Sequence, residues 1–375
     1  MRGQWLGEYH SEVEGGVFVD GHIMVNVDET EGHYEAVASM APFDQNIPSS
    51  IAYLSQLDKS SKQSTTARIY PIDPTTQLRG HWENVKKYYG KDILHSSSAD
   101  VDIDVDVAND ILRLNAITDV GIKLYSNLKK TVENSISKVK GSRMNWKEFK
   151  DHISSIPELV FLFRGQKKPW SLCTSFHRHG RFNITRFLND DVKQLQRRLS
   201  AITPHFIDLT IPDQNGAFFS LLQHHGYPTP LLDWSHSPYV AAFFAFRDLP
   251  INYQGDDVVR IYKFDHQHWT KKFQQVYNLE HPFPHLSVME FLAIGNPRLV
   301  PQQSVTTVTN LYDIEEYILT QESRIGKKLI EAIDIPAKQR DIAMTDLRIM
   351  GITAGSMFPS IDGVCEELRE RNFDR

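Results

Sequence analysis

From Asp100 to Val107 acidic and branched apolar residues alternate at every position: Asp100, Val101, Asp102, Ile103, Asp104, Val105, Asp106, Val107. A side-chain period of two fits an extended strand, with the valines and the isoleucine on a buried face and the aspartates in water. Read as a calcium loop, the segment fails. Counted from Asp100 or Asp102, the sixth position, which must be glycine, is Val105 or Val107, and the twelfth, which must be glutamate, is Ile111 or Arg113. Neighbouring segments share the texture: residues 17–27 put Ile23, Val25 and Val27 on one face, glycines at 15, 16, 21 and 32 punctuate the runs, and residues 67–72 and 111–118 read alike. Helical periodicity is scarce before residue 120. Residues 1–130 are therefore predicted to form a small β-sandwich or barrel, an accessory domain whose role the sequence does not state.

The chain has 375 residues, enough for a second core beyond such a domain. Residues 129–143 (KKTVENSISKVKGSR) are polar with a weak apolar pattern, which places a linker at 131–144 and a second domain at 145–375. From Asn145 the texture becomes mixed α and β, so the whole is an α+β chain. Asn145 with Glu148 makes a capping box for a helix burying Trp146, Phe149 and Ile153, and LVFLF (159–163) follows as a short strand. Leu188, Val192, Leu195, Leu199 and Ile202 keep the spacing of an amphipathic helix. Ser237 and Pro238 suit the cap and first turn of YVAAFFAF, which is apolar all round and must be buried. VVRIYKF (258–264) and SVTTVTNLY (304–312) read as strands, and KQRDIAMTDLRIM as a helix stopped by Gly351.

Two cysteines, Cys173 and Cys365, exclude a disulfide framework and a cysteine-rich zinc site. The histidine pairs lack the His-Glu-x-x-His pattern, so no metal is expected. A formal net charge of −6 argues against a broad basic surface that tracks nucleic acid. An N-terminus without an apolar h-region, and the lack of any stretch of about 18 apolar residues, leave a cytoplasmic protein with no membrane association as the expectation.

Three segments of the second domain carry polar residues where a core would not choose them. In Phe163-Arg164-Gly165-Gln166 an arginine ends an apolar strand, its planar donors suited to phosphate or carboxylate, and the glycine lets another group approach the backbone. In Leu222–Pro238 a helix ends near Gly226, and Asp233, Ser235 and Ser237 precede the buried helix, with His224 and Thr229 upstream. Asn296-Pro297-Arg298-Leu299-Val300-Pro301-Gln302-Gln303-Ser304 leads into VTTV. Lys167, Lys168, Arg178, Arg181 and Arg186 form a modest basic cluster, read as solvated surface charge. Gly-x-Ser-x-Gly, Walker and Gly-x-Gly-x-x-Gly motifs are absent.

FLFRGQ, LLQHHGYPTPLLDWSHSPYVAAFFAF, NPRLVPQQS and LRIMGITAGSMFPSIDG, in that order over roughly residues 145–370, resemble the FRG domain, named for its Phe-Arg-Gly tripeptide and found mostly in bacterial and phage proteins. Pro230 stands where that family commonly has arginine, His225 where it has an aromatic residue, and Ser304 where it has glycine. The FRG domain is similar in layout to ADP-ribosyltransferases, which bind NAD in a cleft of a split β-sheet. The resemblance implies that Arg164 contacts the nicotinamide nucleotide and Ser235, with Ser237 nearby, stands on the serine strand. The third position, a glutamate in the Arg-Ser-Glu class, falls on Gln302 or Gln303, with Asp233 and Glu290 as substitutes for its charge. The implied activity is NAD-dependent ADP-ribosyl transfer to an unidentified protein or nucleic acid, in a toxin or anti-phage setting. NAD glycohydrolysis and a non-catalytic nucleotide-sensing module are the alternatives. The implied catalytic set is Arg164, Asp233, Ser235 and Gln302. NAD would be held by Arg164, Gly165, Gln166, His224, Thr229, Ser235, Ser237, Arg298, Gln302 and Gln303.

Overall fold

The computed structural model describes residues 1–13, 17–90, 93–132, 135–203 and 207–373. Gly15 and Gly16, and the linker residues Glu133 and Asn134, lie outside them. Between Gly3 and Lys130, eight antiparallel strands pair each with the next, and Gly3–Val13 pairs back onto Lys123–Lys130, closing a barrel. Closure decides between the two β architectures the sequence left open. The alternation does the sorting within it. Trp5, Val27, Leu57, Leu112 and Leu128 are fully buried, and on the strand Ser98–Asp106 the residues Val101, Ile103 and Val105 face the same core. The aspartates of that strand turn out: Asp100 accepts from the Thr66 hydroxyl at 3.0 Å and Asp102 from Ser64 at 2.5 Å.

The second unit is built on one seven-stranded sheet. Its spatial order is Leu286–Met289, Ser304–Thr309, Leu231–Ser235, Leu162–Gln166, Val258–Phe264, Ile330–Pro336 and Gly141–Arg143, with only the last pair parallel. A fully split sheet is thus not observed, but the two halves hold together across one residue pair, Phe163 with Ser235. The helix Pro238–Phe246 lies against the sheet, its Val240, Ala241, Ala242, Phe243, Ala245 and Phe246 buried as the sequence predicted. Ser237 caps it, accepting from Val240 N at 3.2 Å. The Asn145 capping box forms, and Trp146, Phe149 and Ile153 are buried. The predicted helix over 188–202 begins instead as a π-helical turn, Phe187–Val192, before Lys193–Leu199.

Residues 135–143, expected within a linker, run against this sheet: Val139 is buried, and Lys138 N and Ser137 Oγ donate to Glu315 at 2.6 and 3.0 Å. The barrel is likewise bound to the second unit. Asp28, fully buried, accepts from Arg181 Nε (2.8 Å) and from the backbone of Phe182 and Asn183. Gln4 donates to Asn310 O at 2.7 Å and accepts from Tyr312 N at 3.0 Å. These hydrogen bonds across the seam supply partners to a buried carboxylate and a buried amide, which is how such groups avoid their desolvation penalty. No described helix is long and apolar enough to cross a membrane.

Candidate functional site

The apolar run predicted to end at Phe163 instead continues as Leu162–Gln166, so Arg164 sits inside a strand, opposite Tyr262. Side chains alternate along it. Leu162 joins one apolar core and Phe163 another, leaving Arg164 and Gln166 on the face shared with Leu162 where that core gives way to an opening. Gly165 allows the close approach expected of it, and the approaching group is a helix backbone. A Cβ there would lie 1.8 Å from the carbonyl oxygen of Ala241, so the glycine exists to let the buried helix pack on the strand.

Beyond the Phe163–Ser235 pair the two strands part, and between them lies a cavity of about 700 Å3. That volume is within the usual range for small-molecule sites, roughly 300–1,000 Å3. Arg164, Gly165, Gln166, His224, Asp233, Ser235, Arg298 and Gln302 all line it. Arg164 donates through Nη1 to the carbonyl oxygen of Asp233 at 2.6 Å, while its Nε is buried without a partner. Burial lowers the pKa of this guanidinium, opposed by Asp233. The Asp233 carboxylate accepts from Gln223 Nε2 at 2.5 Å. Its pKa is raised, first by desolvation, with Arg164 and the Gln223 bond pulling the other way. Ser235 Oγ donates to the carbonyl of Gln302 at 2.7 Å and accepts from Ser237 N at 3.0 Å, so its hydroxyl fixes the third segment to the strand. Gln302 Nε2 in turn donates to Met357 O at 2.9 Å.

Four sequence candidates do not line the cavity. Thr229 is fully buried and bound to Gln223, Ser237 is consumed by helix capping, and Gln303 occupies a turn at φ 46° whose carbonyl accepts from His236 N. Glu290 is exposed and lies near His236 at 3.7 Å, which leaves Asp233 as the substitute carboxylate of the two considered. The basic cluster divides. Lys167 and Arg178 line the cavity, whereas Arg181 pairs with Asp28 and Asp191, and Arg186 with Glu35 and Asp190. Sequence reasoning gave no site role to Gln223, Trp170, Phe244 or Phe358, which also line it. Gln223 stands in the same run as Asp233, but only the strand–helix packing shows that the two meet.

Residues 160–252 match the family model of the FRG domain. This stretch of the chain carries an FRG domain. The match lies inside the span of about 145–370 that the motifs marked, and it contains Arg164, His224, Asp233 and Ser235 but ends before Arg298 and Gln302. The FRG domain thus supplies the two parted strands and the buried helix, and the wall carrying Gln302 comes from chain beyond it. No curated protein matches the sequence. Among solved structures the chain is similar to a redesigned β-barrel, mFAP0, bound to DFHBI, at 12% identity over 34% of this chain and 97% of that one, with a TM-score of 0.22.

Proposed function

We propose that the chain is an NAD-dependent ADP-ribosyltransferase whose substrate lies in the cleft between the Arg164 and Ser235 strands. The observation that carries the reading is the joint presence, on one cavity, of Arg164, Gln166, Asp233 and Gln302, with neither Arg164 nor Arg178 within ion-pair distance of a carboxylate among the described residues. In a chain of net charge −6, unneutralised guanidinium groups gathered on a cavity suit a polyanionic ligand such as a pyrophosphate. Arg164 and Gln166 would hold the pyrophosphate and ribose. Asp233 would face the positive charge that develops at C1′ as the glycosidic bond breaks, and Gln302, fixed by Ser235, would position that ribose.

Purified protein incubated with labelled NAD and a cell lysate tests this directly. Label transfer with nicotinamide release is the expected result, and Arg164→Ala should lower kcat/KM by about a hundred-fold, the scale of losing one preorganised electrostatic contact. Nicotinamide release without a labelled product would indicate a glycohydrolase, and calorimetric binding without turnover a sensing module. The absence of binding, release and transfer alike would overturn the proposal.

A further inference from the structure

Arg298 and Gln302 occupy one tight turn, with Gln302 N donating to Arg298 O at 3.1 Å, and both side chains line the cavity. The Arg298 guanidinium lies over the Phe358 ring, 4.8 Å from its centre. Arg247 approaches the same ring at 4.1 Å but is neutralised by Glu366, whose carboxylate accepts from its Nε at 2.6 Å. Arg298 has no such partner among the described residues, and the acids in its neighbourhood, Asp248 and Asp362, are exposed and make no ion pair with it. His224 beside it is kept neutral, its pKa pushed down to about 4 by burial and then by Arg298. The wall flanking Gln302 therefore offers a cation, an amide and a weakly basic imidazole, while Asp233 of the same cavity is held by Gln223 and, in the reading above, faces C1′. A neutral acceptor, such as a hydroxyl or an amine, would need a base here to remove its proton. A carboxylate needs none, and its charge matches the unpaired guanidinium.

We propose that the acceptor is a carboxylate side chain of an acidic polypeptide, held beside Gln302 by Arg298. The inference rests on the NAD-transfer reading above. In the step, a carboxylate oxygen forms a bond to C1′ while the C1′–N bond breaks. Its electron pair goes to the pyridinium nitrogen, neutral nicotinamide leaves, and no proton is transferred. The product is an ester.

The test uses the full chain, labelled NAD and poly-glutamate as acceptor. The expected result is labelled poly-glutamate whose label neutral hydroxylamine removes, because that reagent cleaves esters. Arg298→Gln should raise the KM for poly-glutamate about tenfold or more, and Arg298→Lys, which keeps the charge, should recover part of the loss. Hydroxylamine-resistant label, preferential labelling of a phosphopeptide or an oligonucleotide, or an unchanged KM in Arg298→Gln would each overturn the acceptor assignment. Nicotinamide release with poly-glutamate left unlabelled would overturn it too while leaving the NAD reading standing. Failure to bind or cleave NAD at all would remove both.

Discussion

The barrel and the FRG-bearing unit solve opposite problems with the same material. In the barrel every strand pairs with two neighbours, the interior is filled by side chains such as Trp5, Leu57 and Leu128, and the outward Asp100 and Asp102 bind neighbouring hydroxyls. In the second unit the sheet is pinned at one pair, Phe163 with Ser235, and the space left by the parting strands holds an orphaned Arg164 Nε and an exposed Asp233 carboxylate that accepts from Gln223. A buried polar atom without a partner costs stability, and the Arg164 Nε is such an atom. The difference teaches where the chain closes its polar groups on itself and where it leaves them open to a cavity.

The largest expected effect lies at the seam between the two units. His177, His281 and His285 are buried there, with the latter two clasping Asn310, whose carbonyl accepts from Gln4 of the barrel. Desolvation pushes their pKa values down to about 3, 4 and 3. Each imidazole takes a proton less readily folded than unfolded, so below the unfolded value of 6.5 the unfolded chain binds more protons and stability falls as pH drops. By pH 5 the loss should be about 2 kcal/mol per histidine, several in all, and full stability should return above pH 6.5. Denaturant melts between pH 7 and 5 measure it; a flat profile would remove the seam as the weak point.

Next in size is Gly165→Ala. With its Cβ 1.8 Å from Ala241 O, the variant must push the buried helix off the strand, at a cost of about 3 kcal/mol. Thermal unfolding should show the second unit weakened, and a melting curve like that of the parent would mean the close approach is not enforced. The smallest effect is expected on the barrel wall. Asp100→Asn keeps the Thr66 contact on an exposed face and should change stability by less than about 0.5 kcal/mol. A larger loss by the same melt would show that the outward acids do more than keep the strand wet.

Much of this was legible before any coordinates. The period of two over Asp100–Val107 set which face of the strand is buried, Ser237 and Pro238 marked the start of the buried helix, and Val258–Phe264 matches its predicted strand residue for residue. Among the site residues that the FRG resemblance implied, Arg164, His224, Asp233, Ser235, Arg298 and Gln302 share one cavity. Thr229, Ser237 and Gln303 were also polar and near in sequence, yet the first two side chains turn to a glutamine and a helix terminus, and Gln303 sits in a turn away from the cavity lining. Their composition was informative, but their direction was not. Gly165 illustrates the same gap: the sequence called for a close approach, and only packing revealed that the approaching group is a helix backbone.

By itself the sequence determined the local faces, the helix caps and the strand texture, because side-chain periodicity and capping act over a few residues and need no knowledge of the rest of the chain. Tertiary structure decided the closure of the barrel, the single-pair joint in the sheet and the meeting of Arg164 with Asp233 and of Ser235 with Gln302. Those contacts join segments tens of residues apart, and their geometry follows from strand register and from how closely a helix can lie on a sheet, which no local pattern encodes.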